Sequence, residues 1–131
     1  MAISKQQASE EVDSLVKSLG IRAHKLKNKD LADAIDQIKT MVECGVATID
    51  GKKIEYKLEE PLIDGTEKVV FSGKRYTIDE VKAMRGNIKG DDAGLAVIGK
   101  MLEPNINVGL LGSMKSDLAD IVQIAALFLP V

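Results

Sequence analysis

Apolar residues near the start of the chain recur at helical spacing. Val12, Leu15, Val16 and Leu19 fall at i, i+3, i+4 and i+7, which predicts one amphipathic helix. Glu10, Glu11 and Asp13 lie in its first half and Lys17 near its end, the distribution a helix dipole favours. Gly20 is a natural stop, because glycine enters the left-handed conformation without penalty. A second stripe of Leu31, Ala34, Ile35, Ile38, Met41 and Val42 predicts another helix, with Asn28 or Asp30 to cap its start and Gly45 to end it. From about Val46 the period drops to two. Val46–Ile49, then Asp50-Gly51, then Lys52–Leu58 read as a hairpin, with Asp-Gly supplying the two positive φ angles of a type I′ turn. Ile54, Tyr56 and Leu58 alternate with Glu55 and Lys57, giving one buried and one wet face. Pro61, Asp64 and Gly65 interrupt the pairing. Val69-Val70-Phe71, Ser72-Gly73 and Arg75-Tyr76-Thr77 predict a second short hairpin.

The helical period then returns. Thr77 or Asp79 starts a short helix through Val81 and Met84, ended by Gly86 or Gly90. Asp91 and Asp92 cap a helix carrying Leu95, Val97, Ile98, Met101 and Leu102, which stops before Pro104. A loop with Asn105 and Asn107 leads to Val108, Leu110 and Leu111, and Ser116 or Asp117 opens a last helix over about Leu118–Leu129. The expected class is α+β, mostly α, with a small antiparallel β-hairpin region in the middle. The expected division is an N-terminal helical pair, 1–45, and a second region, 46–131, with a short sheet over 46–77 and helices over 79–131.

Composition narrows the function. In 131 residues there are no Trp, two Tyr and two Phe, so the core must be built from aliphatic side chains and Met. That argues against single-strand nucleic-acid platforms, which stack bases on aromatics. A net charge of −2 gives no global case for nucleic acid or an anionic membrane. The single Cys, Cys44, excludes an intrachain disulfide and a thiolate metal cluster, and an inert buried thiol is expected there. The single His, His24, excludes a multi-histidine metal site. The opening MAISKQQASEEV has neither a basic start nor an apolar stretch of the kind a signal peptide needs, so the cytoplasm is expected.

Several motifs have a bland reading that outweighs the sharp one. Gly94-Leu-Ala-Val-Ile-Gly99-Lys100 fits seven positions of a phosphate-binding loop, but Met101 stands where Ser or Thr should hold magnesium. The stretch also reads as mid-helix rather than a strand-to-helix turn. Ser72-Gly73-Lys74-Arg75 reads as a hairpin turn with solvated charges. His24, Lys25, Lys27 and Lys29 form a basic cluster, yet Asp33, Asp36 and Gln37 on the following helix would repel a duplex. Asp91-Asp92 and Glu59-Glu60 are sequence neighbours, so each pair points apart. No catalytic residue, cofactor site or metal site is expected.

The C-terminal run Ile121-Val122-Gln123-Ile124-Ala125-Ala126-Leu127-Phe128-Leu129 is apolar nearly all round. Such a helix must be buried on every side, by its own domain or by a partner. It reads either as the central core helix or, in part, as an exposed patch for self-association or a client. On the second reading Leu110, Leu111, Ile121, Ile124, Leu127, Phe128 and Leu129 bind the partner.

From Ile54 to Leu129 the order of features resembles the tail assembly chaperones of long-tailed bacteriophages, particularly those with contractile tails. A strand runs into Pro61 (Tyr56-Lys57-Leu58-Glu59-Glu60-Pro61-Leu62), and Asp64-Gly65 precedes a second β segment, Val69-Val70-Phe71. A short helix closes in Met84-Arg85-Gly86, similar to the family's Leu-Arg-Gly. A Leu/Ile-rich helix, Leu95 to Leu102, leads to a Pro/Asn loop, and Met114-Lys115-Ser116-Asp117-Leu118 starts an Ala-rich helix ending Ala125-Ala126-Leu127-Phe128-Leu129. The first 45 or so residues depart from the family's compact members. The resemblance implies a non-catalytic protein of the bacterial host cytoplasm that binds the tape measure protein and keeps it soluble until tube subunits polymerise. The tail tube protein is a second implied partner, self-association a third, and nucleic acid and membrane are not expected. A longer form made by ribosomal frameshifting is common in that family, and its members are not expected in the finished virion. The alternatives are a structural neck or tail component of the particle and, third, a DNA-binding regulator using Lys25–Lys29.

Overall fold

The structure, a computed structural model, describes residues 2–130. Ser4 opens the first helix, α1 (Lys5–Ser18), by accepting the Gln7 N–H at 3.1 Å. After Gly20, at φ 76°, a 3₁₀ turn over Ala23–Lys27 leads to α2 (Lys29–Glu43), capped by the Asn28 side chain on the Leu31 N–H. Both predicted stripes face inward: Val12, Leu15 and Val16 of α1 and all six residues of the α2 stripe are buried. Lys39 and Asp13 pair across the two helices at 3.0 Å.

Four antiparallel strands follow in the order β1 (Ala47–Asp50), β2 (Lys53–Lys57), β3 (Lys68–Phe71) and β4 (Leu102–Glu103). Ile54 and Tyr56 of β2, with Val69 and Phe71 of β3, are buried on one face. The other face carries the Lys68–Glu55 ion pair at 3.0 Å. Between the last strands lie α3 (Ile78–Arg85) and α4 (Asp91–Met101), and β4 is followed by α5 (Val108–Ser113) and α6 (Ser116–Ala125). One apolar cluster joins α1, α2, the inner sheet face, α4 and α6, so the core is continuous between the N-terminal helical pair and the rest.

The α+β, mostly α class stands, and four local expectations change. In the first hairpin Asp50 pairs with Lys53, so the turn is Gly51-Lys52. Only Gly51 has a positive φ, 62°, as a II′ turn has, rather than the two positive angles of I′. The second hairpin does not form. Residues 75–77 are not a strand: the Tyr76 N–H donates to Phe128 O at 2.8 Å, and Thr77 builds a capping box with Glu80 for α3. The partner of β3 comes instead from Leu102–Glu103, beyond the 46–77 window, where the residue preceding Pro104 favours extended backbone. Finally, Val108–Ser113 is a short helix capped by Asn107, and α6 ends at Ala125 with its chain continuing through tight turns to Leu129.

Two contacts fix how the α4 and β4 segment sits. Gly99 lies so close to the following loop that a Cβ there would collide with Ile106 O. The same approach lets the Ile106 N–H donate to Gly99 O at 3.1 Å.

Candidate functional site

Of the seven residues expected to bind a partner, Leu111, Ile121, Ile124, Leu127 and Phe128 are buried in the core. Leu110 and Leu129 are half-buried against it. The exposed-patch reading is therefore corrected for the five. They are packed by α2, α4 and the sheet, as the core-helix reading requires. The Phe128 ring stacks on Phe71 with centroids 5.6 Å apart and planes at 10°.

What α6 does leave on the surface is a narrow strip beside α2. Val122 is 42% exposed, and with Ala126 it faces Leu31 and Ala34 across a groove of about 450 Å³. Asn28, Asp30, Asp33 and Gln123 form its polar edges. The floor is apolar and the α2 side is acidic, so the groove suits an apolar stripe flanked by positive charge.

A second cluster went unread in the sequence. Asp117, in the first turn of α6, is a buried carboxylate, 4% exposed. Its Oδ1 accepts the Tyr56 hydroxyl at 2.9 Å and the Glu59 N–H at 2.9 Å. Its Oδ2 accepts the Glu59 N–H at 3.0 Å and the Glu60 N–H at 3.3 Å. Tyr56 Oη also lies 2.7 Å from Asp120 Oδ2, so the single phenol proton sits between two carboxylates. Burial, then the hydrogen bonds to Asp120 and Asp117, hold the Tyr56 phenol far above its usual range. Beside the cluster opens a hollow of about 340 Å³, lined by the 59–63 segment and residues 113–117. Asp117 spends its acceptor capacity on the chain's own donors. Chemically it is a latch that ties the β2–β3 connection to the start of α6. The sequence offered a signal of sorts, a carboxylate at a helix start, but that position is usually explained by the helix dipole. Its burial depends on donors 57 to 61 residues away.

Two of the remaining candidates fall where the bland readings put them; Ser72–Arg75 does not, because it turns no hairpin, Lys74 pairs with Glu80 and Arg75 is half-buried. Gly94–Lys100 lies within α4, with Ala96, Val97, Ile98 and Gly99 buried. The His24–Lys29 cluster occupies the 3₁₀ turn and the start of α2, and Asp33, Asp36 and Gln37 are exposed beyond it. Cys44 is exposed, not buried, because it is the C-cap of α2 and lies past the helix's last inward turn. Among the described residues no three His, Cys, Asp or Glu side chains gather as metal ligands, and no helix is long and apolar enough to cross a membrane.

No family model, curated protein or solved structure matches the chain.

Proposed function

We propose that the protein is a non-catalytic tail assembly chaperone of a long-tailed bacteriophage or prophage, acting in the host cytoplasm on the tape measure protein. The observation that carries this reading is the succession of elements from Ile54 to Leu129. Strand β2 ends before Pro61, β3 follows Asp64-Gly65, and α3 closes at Arg85-Gly86. Helix α4 runs into the Pro104–Asn107 loop, and α6 starts at Ser116. A tape measure protein is a long helical client whose apolar stripes must be covered before the tube forms around it. The α2–α6 groove supports that role, since a helix can lay its apolar face against Val122 and Ala126, beside exposed Asp30 and Asp33.

The test is co-expression with a candidate tape measure protein, scored by soluble recovery and co-purification. We expect the client to stay soluble only with this chain, and Val122→Glu to reduce co-purification while leaving the chaperone folded. A client that is soluble alone, or that ignores this chain, would overturn the reading. Presence of the chain in purified particles would transfer the role to a structural component.

A further inference from the structure

The most exposed large apolar side chain among the described residues stands at the edge of the Asp117 hollow. Ile63, 95% exposed, stands at the tip of the β2–β3 connection. The tip is braced: the Leu62 N–H donates to Thr66 O at 2.8 Å, the Gly65 N–H to Leu62 O at 2.8 Å, and the Thr66 N–H to Asp64 Oδ1 at 3.0 Å. Leu62 beside it is buried in the core. Ile63 is thus presented on a fixed support among exposed Glu59, Glu60 and Asp64; Glu59 also accepts the Ser116 hydroxyl at 2.6 Å, and among the described residues Lys115 is the one cation lining the hollow beside the tip.

A second surface has the opposite character. Where α3 gives way to α4, Arg85, Gly86, Ile88, Lys89 and Ala93 line a hollow of about 560 Å³. Arg85 and Lys89 are exposed, Ile88 between them in sequence is 37% exposed, and among the described residues no carboxylate lines the hollow. Asp91 and Asp92 begin α4 just beyond, outside the lining. One surface is an apolar knob among mostly acidic residues; the other is a hollow with Ile88 and Ala93 as its apolar side chains and Arg85 and Lys89 as its charges.

We infer that the occupant of the hollow is the Ile63 tip of a second copy of this chain, with Glu59, Glu60 and Asp64 of one copy against Arg85 and Lys89 of the other. The two surfaces differ, so the contact is head-to-tail, and successive copies close into a ring or continue as a filament. The charge pairing sets orientation and makes association weaken with salt, while the buried isoleucine supplies affinity. This goes beyond the chaperone reading and does not depend on it.

The experiment is sedimentation velocity of the full chain over a concentration series, at ~50 mM and ~500 mM salt. We expect mass to rise with concentration at low salt and to fall back at high salt. Ile63→Asp, at a solvent-facing position, should keep the circular dichroism spectrum and weaken association about tenfold or more. Glu59→Lys with Glu60→Lys in one chain, and Arg85→Glu with Lys89→Glu in another, should each be monomeric alone and associate when mixed. A chain that stays monomeric to its solubility limit overturns the inference. So does association indifferent to Ile63→Asp, a mixture that stays monomeric, or binding at these surfaces only by a different protein.

Discussion

The α6 run and the β2–β3 connection are opposites in sequence and in place. The run from Ile121 to Leu129 is the most apolar stretch of the chain, and five of the seven residues first assigned to a partner surface there or in α5 lie in the core. The connection, Leu58 to Glu67, is charged and broken by Pro61 and Gly65, yet it carries the most exposed large apolar side chain among the described residues. The difference teaches that the hydrophobicity of a segment measures how much must be covered, not what covers it. Helix α6 is covered by α2, α4 and the sheet, whereas Ile63 has no neighbour within the fold to cover it. An isolated apolar residue among charges is the better pointer to a surface meant for another molecule.

That contrast can be broken most forcefully at Phe128. Phe128→Ala should cost about 3–5 kcal/mol in urea unfolding, because it leaves a cavity against Phe71. Near-native stability in that variant would return α6 to the surface reading. Asp117→Ala comes next, at about 3 kcal/mol, since the Glu59 and Glu60 N–H groups lose a charged acceptor. The same measurement checks it, and a loss confined to less than about 1 kcal/mol would mean water replaces the carboxylate without penalty.

Much of this was readable from the chain because it is local. The 3.6-residue period put Val12, Leu15, Ile35 and Ile38 inside, and the alternation of Ile54 and Tyr56 set the buried face of the sheet. What escaped was non-local. Strand β4 is two residues long and is defined only by its pairing with Val70 and Phe71. The Tyr76 N–H finds Phe128 O rather than a hairpin partner. Asp117 looks like an ordinary helix-start acid until its distant donors are known. The groove beside Val122 was hidden for the same reason, since only the packing of α2 on α6 decides which of the helix's apolar residues stays wet.

A smaller and more selective effect is expected from Tyr56. Its phenol is held neutral in the folded chain far above the unfolded value of about 10, so it favours folding fully below that value. Above pH ~10 the unfolded chain releases this proton and the folded chain does not, and stability falls by up to about 1.4 kcal/mol per pH unit. Tyr56→Phe should remove one proton's worth of that slope in urea titrations compared at pH 9 to 11. Equal slopes in the two proteins would place the phenol in contact with water. The smallest effect belongs to the other region: Ile63→Ser should change stability by no more than about 0.5 kcal/mol. A larger loss would show that the tip packs within its own chain after all.

The latch on Asp117 also marks two amides for exchange with solvent deuterium. Glu59 and Glu60 sit in an exposed connection, where backbone protons ordinarily exchange through fraying of the loop. Theirs are bound to a buried carboxylate of α6, so they are released only when that helix start leaves its seat. Their exchange rates therefore clock the undocking of α6 from a position outside it, and any ligand that seats α6 more firmly will slow those two protons.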